Sequence, residues 1–179
     1  LASRVKRIFV AVMALAPNGA VYCWGSNSAG QLGNGATSDA NAPVPVSGGV
    51  PFKAVAAGGS HTCALTTSGS AYCWGENTSG QLGTGATTAD NVRPMAVSGP
   101  PVFGSLAAGE SHTCGLTDDG AAYCWGAGRA GQLGTGQNAD MPRPALVVGG
   151  HVFRTLALGA LHACAVADDY RGLAFFDDR

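Results

Sequence analysis

The side chains of this 179-residue chain best suited to chemistry are its cysteines and histidines, and most of them recur at fixed spacing. His61, His112 and His162 each stand two residues before a cysteine. Imidazole and thiolate are zinc ligands, so a His-x-Cys pair could belong to a metal site. Each pair lies in its own copy of a repeated segment, however, and the chain has no Cys-x-x-Cys. We therefore predict no metal site and expect each histidine to form a hydrogen bond within its own repeat.

Four cysteines fall on opposite arms of predicted hairpins. A turn centred on Ser68 places Cys63 opposite Cys73, and the equivalent turn of the next repeat places Cys114 opposite Cys124. Directly opposed residues in a non-hydrogen-bonded pair have Cα atoms about 4.5 Å apart, near the lower limit for a disulfide. We predict one disulfide in each hairpin, which is typical of an oxidising compartment. The alternative is four small, buried, apolar side chains.

The other two cysteines, Cys23 and Cys164, are predicted to be unpaired. In the same alignment Cys23 faces Met13, and Cys164 faces Ala174. Both lie in incomplete repeats at the ends of the array, as truncation of a longer array would leave them. Pairing between molecules is the alternative.

No pattern of catalytic or cofactor-binding residues accompanies these side chains. The sequence contains no Gly-Lys-Ser/Thr loop and no Gly-x-Ser-x-Gly elbow. Asp118-Asp119 and Asp168-Asp169 fall at hairpin turns, where aspartate is common for backbone reasons. We predict no catalytic residue, no cofactor and no enzymatic activity.

The charge of the chain also limits its partners. Charged residues make up 12% of the sequence, and the formal net charge is −1. Neutralisation of phosphates supplies most of the affinity of nucleic-acid-binding proteins, so we predict no nucleic-acid partner. No apolar run is long enough to span a membrane.

A repeat of about fifty residues positions these side chains. The steps between successive Tyr-Cys-Trp-Gly segments are 50 and 51 residues. Short runs rich in valine, tyrosine, cysteine and tryptophan, bounded by glycine, serine and asparagine, predict strands. The period predicts an all-β fold, a partial β-propeller of about three to four blades. We expect the core between blades to contain Trp24, Trp74 and Trp125, with Leu32, Leu82 and Leu133 of the Gly-Gln-Leu-Gly loops between neighbouring blades.

From Ala57 to Gly85, and again from Ala108 to Gly136, the chain follows A-G-x-x-H-x-x-A-L-x-x-x-G-x-x-Y-x-W-G-x-N-x-x-G-Q-L-G-x-G with small departures. This pattern resembles the regulator-of-chromosome-condensation repeat family, in its bacterial secreted type. The resemblance implies a seven-bladed propeller, which at this period needs about 350 residues. We therefore expect a fragment of such an array. The family includes a secreted bacterial protein that binds its protein target through one propeller face.

Both ends of the chain depart from the repeat. Residues 1–16 are either a signal peptide, with Ala14-Leu15-Ala16 as its cleavage site, or a broken first repeat. Residues 17–169 are the tandem propeller repeats. Residues 170–179 are an aberrant tail, either the product of a frameshift or a capping segment with an exposed phenylalanine pair.

The sequence predicts a non-enzymatic protein-binding module, extracellular or at the cell surface, whose partner is not identified. Loops on a rigid scaffold commonly carry recognition, and propeller faces are built from loops. The first alternative is a regulator of a small GTPase, resembling a guanine nucleotide exchange factor. The second is a truncated fragment without independent function, in which two open arcs could associate and close a ring of about seven blades.

Overall fold

The computed structural model describes residues 12–87, 90–99 and 102–168, together with the backbone of residues 172–175. Every regular element among these residues is a β-strand. The described ranges hold no helix that could cross a membrane. The basic part of segment 1–16 and most of the tail 170–179 lie outside the described residues. The strands are β1 Val12–Leu15, β2 Val21–Gly25, β3 Ala40–Pro45, β4 Phe52–Ala57, β5 His61–Thr66, β6 Ala71–Gly75, β7 Asn91–Ala96, β8 Ser105–Ala108, β9 His112–Leu116, β10 Ala122–Gly126, β11 Met141–Leu146, β12 Phe153–Leu158, β13 Ala163–Ala167 and β14 Gly172–Phe175.

The strands form four antiparallel sheets, which we call blades 1 to 4. Blade 2 (β4–β7) and blade 3 (β8–β11) have four strands each, in chain order. Blade 1 (β1–β3) and blade 4 (β12–β14) have three strands each among the described residues. The all-β partial propeller expected from the fifty-residue period is therefore confirmed.

The strand register agrees with the hairpin centres read from the sequence. Cys63 pairs with Cys73 across β5 and β6, and the corresponding cysteines pair across β9 and β10. In blade 1 the same position pairs Met13 with Cys23, and in blade 4 it pairs Cys164 with the backbone position of Ala174. β1 thus corresponds to the second strand of a complete four-stranded blade, and β14 corresponds to the third strand.

The core lies between blades rather than within them. β4, β8 and β12, the first strands of blades 2, 3 and 4, lie next to one another, as the inner strands of a propeller do. One apolar cluster joins Cys23 and Leu32 of blade 1 to Phe52 and Trp74 of blade 2. Equivalent clusters join blades 2 and 3, and blades 3 and 4. Each blade therefore depends on its neighbours for burial of its side chains.

Candidate functional site

Each Gly-Gln-Leu-Gly loop holds the following blade through one backbone carbonyl. The main-chain oxygen of Gln31 accepts a hydrogen bond from Trp74 Nε1 at 2.9 Å and another from Thr62 Oγ1 at 2.8 Å. The main-chain oxygen of Gln81 accepts from Trp125 Nε1 at 3.0 Å and from Thr113 Oγ1 at 3.1 Å. These loops are structural links between blades.

The glycine that ends each loop allows this close approach. A Cβ atom on Gly33 would lie 2.6 Å from Trp74 Nε1, and one on Gly83 would lie 2.8 Å from Trp125 Nε1. Trp74 and Trp125 are completely buried, whereas Trp24 in blade 1 is half-buried. The three loop leucines, Leu32, Leu82 and Leu133, are all completely buried.

The structure contains two disulfides, one in each four-stranded blade. Cys63 bonds to Cys73 and Cys114 to Cys124, with Cα atoms 4.1 Å apart in both pairs. Cys23 and Cys164 are free thiols, the first buried and the second exposed. Burial raises the pKa of Cys23 to about 12, so its thiol is protonated at neutral pH.

The repeated histidines occupy equivalent positions in three consecutive blades, but their surroundings differ. His61 and His112 are buried, and His162 is exposed. His61 Nε2 lies 2.8 Å from Thr113 Oγ1, which belongs to the next blade. The expectation that each histidine bonds within its own blade is therefore wrong for His61. The physical reason is that His61 lies at the interface between blades 2 and 3, within reach of the second strand of blade 3.

Burial governs the titration of the two inner histidines. It lowers the pKa of His61 to about 3, with a further lowering by the neighbouring His112 and an opposing effect of the Glu110 backbone. Burial also lowers the pKa of His112 to about 4. In the next blade the threonine position is Ala163, so His112 Nε2 has no hydrogen-bond partner among the described residues. Among those residues no group of three or more potential metal-ligating side chains comes together.

A charged groove of about 570 Å³ lies between blades 3 and 4. The turn between β9 and β10 contributes Asp118 and Asp119 to its wall, and blade 4 contributes Arg154 and Asp168. Arg154 and Asp168 form an ion pair, with their side chains 60% and 45% exposed. Because three carboxylates face one guanidinium, the groove is negative.

Asp119 is held in its ionised form. The hydroxyl of Thr117 donates a hydrogen bond to its carboxylate and lowers its pKa, and the backbone at Ala121 contributes in the same direction. The carboxylate is fully exposed, so it remains available to a ligand. It offers a fixed negative charge at the edge of the groove.

An apolar hollow of about 380 Å³ adjoins this groove and shares Asp119 and Val152 with it. Leu146, Val148 and Val152 line the hollow with side chains that are 54%, 55% and 50% exposed. Adjacent exposed aliphatic side chains at the edge of a charged groove are a feature of protein contact surfaces. We take the groove and the hollow together as the candidate site and call them the acidic groove.

The equivalent groove between blades 1 and 2 lacks this character. It has a volume of about 490 Å³, and its polar wall residues are Asn18, Lys53 and Thr67, with no carboxylate. From the sequence alone Asp118, Asp119 and Asp168 are predicted to be ordinary turn residues, so this site is not predicted from the sequence. The available signal was a departure from the repeat, because acidic pairs occur in the turns of only the later repeats.

Comparisons with known proteins agree with the architecture. The profile of the regulator of chromosome condensation (RCC1) repeat matches residues 18–65, 68–116 and 119–166. A second profile of the same repeat matches residues 52–81 and 105–132. The Ultraviolet-B receptor UVR8 of Arabidopsis thaliana is 37% identical over 119 residues, which are 65% of this chain and 27% of the receptor. The chain thus spans about a quarter of this curated relative.

Two solved structures illustrate the fold. Yeast RCC1 (Prp20), in a structure with Kap60 bound, superposes with a TM-score of 0.81 at 27% identity, over 92% of this chain and 41% of that one. The ectodomain of the receptor kinase CR4 from Physcomitrella patens superposes with a TM-score of 0.60 at 23% identity, over 93% of this chain and 38% of that one. The chain covers less than half of each structure.

Proposed function

Because the chain belongs to the regulator of chromosome condensation (RCC1) repeat family, we propose that it is a non-enzymatic module that binds another protein outside the cell through the acidic groove. The observation that carries this proposal is the conjunction of three carboxylates with three half-exposed aliphatic side chains at one blade interface. Yeast RCC1, whose fold this chain shares in part, is bound to the protein Kap60 in a solved complex.

The chemistry of the acidic groove indicates the kind of partner. Asp118 and Asp119 present uncompensated negative charge, whereas Asp168 is already paired with Arg154. A lysine or arginine side chain fits the groove, and an aliphatic neighbour in the partner fits the hollow beside Val148 and Val152. We therefore propose that the partner offers a basic residue next to an aliphatic one on an accessible loop or terminus.

The extracellular location is proposed from the cysteines. Structural disulfides persist in oxidising compartments and are rare in the reducing cytosol. CR4 provides an example of the fold in an ectodomain. In this proposal residues 17–169 are the binding array, and segment 1–16 is either a leader or a broken repeat. N-terminal sequencing of the exported protein decides between these two.

A peptide-display experiment tests the binding proposal. The oxidised chain is presented with random peptides, and we expect it to enrich sequences in which lysine or arginine adjoins an aliphatic residue. A selected peptide is then measured against the variant Asp118→Asn/Asp119→Asn. The variant keeps the shape of the groove and removes its charge, so we expect affinity to fall at least tenfold, with the wild-type affinity decreasing as salt rises.

The matched control is Glu76→Gln/Asp90→Asn, which removes the same charge from exposed or half-buried positions outside the groove. It is expected to bind like the wild type. Equal losses in both variants would show non-specific attraction, and enrichment of acidic peptides would contradict the proposal. Alkylation of the purified protein after denaturation without reductant tests the location separately, because these four cysteines are buried in the folded chain. Free thiols at Cys63, Cys73, Cys114 and Cys124 would favour an intracellular regulator of a small GTPase.

A further inference from the structure

The two free cysteines occupy complementary positions of an interrupted disulfide. In blades 2 and 3 the disulfide joins the second strand to the third, as between Cys63 on β5 and Cys73 on β6. Cys164 lies on β13, the second strand of blade 4, at the position of Cys63. Cys23 lies on β2, the third strand of blade 1, at the position of Cys73. Each therefore supplies the half of the pair that the other lacks.

The hydrogen bond between tryptophan and glutamine that links neighbouring blades is also divided between the two ends of the array. In blades 2 and 3 the indole nitrogen of the third-strand tryptophan donates to the glutamine carbonyl of the preceding blade. Among the described residues, Trp24 Nε1 has no acceptor and the main-chain oxygen of Gln132 has no donor. In blade 4 the corresponding tryptophan and threonine positions are occupied by Phe175 and Ala163, whose side chains have no hydrogen-bond donor. One blade end offers the donor, and the other offers the acceptor.

The strands themselves are complementary as well. β12 and β13 are the first and second strands of a blade, and β2 and β3 are the third and fourth. Joined edge to edge, they make one complete four-stranded blade. The family matches follow the same division, since each matched repeat begins at a third strand and ends at a second one.

We propose that β2 and β3 of a second copy of this chain add to β13 of the first, forming a hybrid blade that is closed by a disulfide between Cys164 of the first copy and Cys23 of the second. β1 and β14 give up their places at these two edges. The contact is head-to-tail, so it repeats from copy to copy. Such contacts build rings when the rotation closes and open chains when it does not.

The register of the hybrid blade follows from the intact blades. In blade 2, Thr62 faces Trp74 and Ala64 faces Tyr72 on either side of the disulfide. The same register sets Ala163 opposite Trp24 and Ala165 opposite Tyr22. It also brings Trp24 beside the Gly131–Gly134 loop, where its indole nitrogen can donate to the carbonyl of Gln132. The half-buried Trp24 and the 38% exposed Tyr22 are thereby covered.

The disulfide forms by exchange with a disulfide oxidant such as oxidised glutathione. The exposed Cys164 loses its proton, and its thiolate attacks the oxidant and releases one thiol. When β1 leaves, Cys23 of the second copy becomes accessible, and its thiolate attacks the sulfur of Cys164 and releases the second thiol. Two protein thiols become one disulfide, and one oxidant disulfide becomes two thiols.

Mixing of single-cysteine variants of the full chain tests the proposal. Cys23→Ser keeps only Cys164 as a free thiol, and Cys164→Ser keeps only Cys23. In a glutathione redox buffer we expect each variant alone to remain monomeric on non-reducing electrophoresis. The mixture is expected to form one species of twice the mass, with a peptide linking Cys164 to Cys23 identified by mass spectrometry. The wild-type chain is expected to form a ladder of multiples or a closed ring.

The variant Trp24→Ala separates a built interface from chance oxidation. It removes the donor to Gln132 and leaves both thiols in place, so we expect at least a fivefold slower crosslinking in the otherwise identical mixture. Circular dichroism of every variant checks that the strands have formed. A Cys164–Cys164 dimer from Cys23→Ser alone, a rate unaffected by Trp24→Ala in a folded protein, or no crosslink in the mixture would overturn the proposal. None of these outcomes depends on the acidic groove.

Discussion

The interface between blades 2 and 3 and the interface between blades 3 and 4 have the same strand topology and different chemistry. At the first, Trp125 and Thr113 donate to the carbonyl of Gln81 from the next blade. At the second, Ala163 stands at the threonine position, and Gln132 has no donor to its carbonyl among the described residues. The repeated tryptophan and threonine thus donate hydrogen bonds to the preceding blade. A substitution at either position in one blade therefore leaves the glutamine carbonyl of the preceding blade without a donor.

The same comparison explains the burial pattern. His112 and Leu116 of blade 3 are buried, whereas their counterparts in blade 4, His162 and Val166, are exposed. Blade 3 has a neighbour on each side, and the described residues cover blade 4 on one side only. Burial in this fold therefore depends on neighbours, and identical motif positions contribute different amounts to stability.

The largest difference in stability between the blades is expected on substitution of the tryptophans. Trp125→Ala removes a completely buried side chain and its hydrogen bond, so we expect the free energy of unfolding to fall by about 3–5 kcal/mol. Trp24→Ala removes a half-buried side chain with no hydrogen-bond partner among the described residues, and we expect less than half that loss. Urea denaturation followed by circular dichroism measures both variants. Equal losses would mean that blade position does not govern the contribution.

The disulfides give the next largest effect. Each one closes a short loop, with a sequence separation of 10, and loop-closure entropy predicts that removal costs about 3 kcal/mol. We expect Cys114→Ala/Cys124→Ala to show this loss in thermal denaturation of the monomer. Cys164→Ala is the control within the adjoining blade, because it removes an exposed free thiol and leaves every disulfide intact. A loss in the control as large as that in the double variant would contradict a stabilising role of the bond.

Much of this architecture could be predicted from the sequence, because the same pattern of strands and turns occurs in each repeat. The spacing of the Tyr-Cys-Trp-Gly segments predicted the blades. The turn centre at Ser68 predicted the strand register that brings Cys63 opposite Cys73. Both are local signals, set by turn chemistry and by the alternation of side chains along strands.

The contacts between blades could not be predicted in the same way. His61 reaches Thr113, which is 52 residues away, and no local pattern relates the two. The acidic groove likewise joins Asp119 in one hairpin to Asp168 in another blade. Its acidic residues are those that differ between repeats, so the pattern that the repeats share does not predict the groove. Specific chemistry here lies in the departures from the common pattern.

The buried histidines give the smallest of these expected effects, and it depends on pH. His61 and His112 have pKa values of about 3 and about 4 in the folded chain, whereas an unfolded histidine titrates near 6.5. The unfolded chain therefore binds more protons below pH 6.5, so stability is complete above that pH and falls as pH decreases towards 4. As pH is lowered from 7 to 5, each of these two histidines is expected to lower the free energy of unfolding by about 2 kcal/mol.

Urea denaturation at a series of pH values measures how the free energy of unfolding depends on pH, and the variant His61→Asn shows how much of that dependence comes from one histidine. The variant lacks one of the two buried imidazoles, so about half of the loss between pH 7 and pH 5 should vanish even if the variant is less stable at every pH. Ionisation of carboxylates contributes equally to both proteins and cancels in the comparison. A wild-type stability that stays constant between pH 7 and pH 5 would mean that these histidines accept protons in the folded state, which would require both interfaces of blade 3, with blade 2 and with blade 4, to open to water.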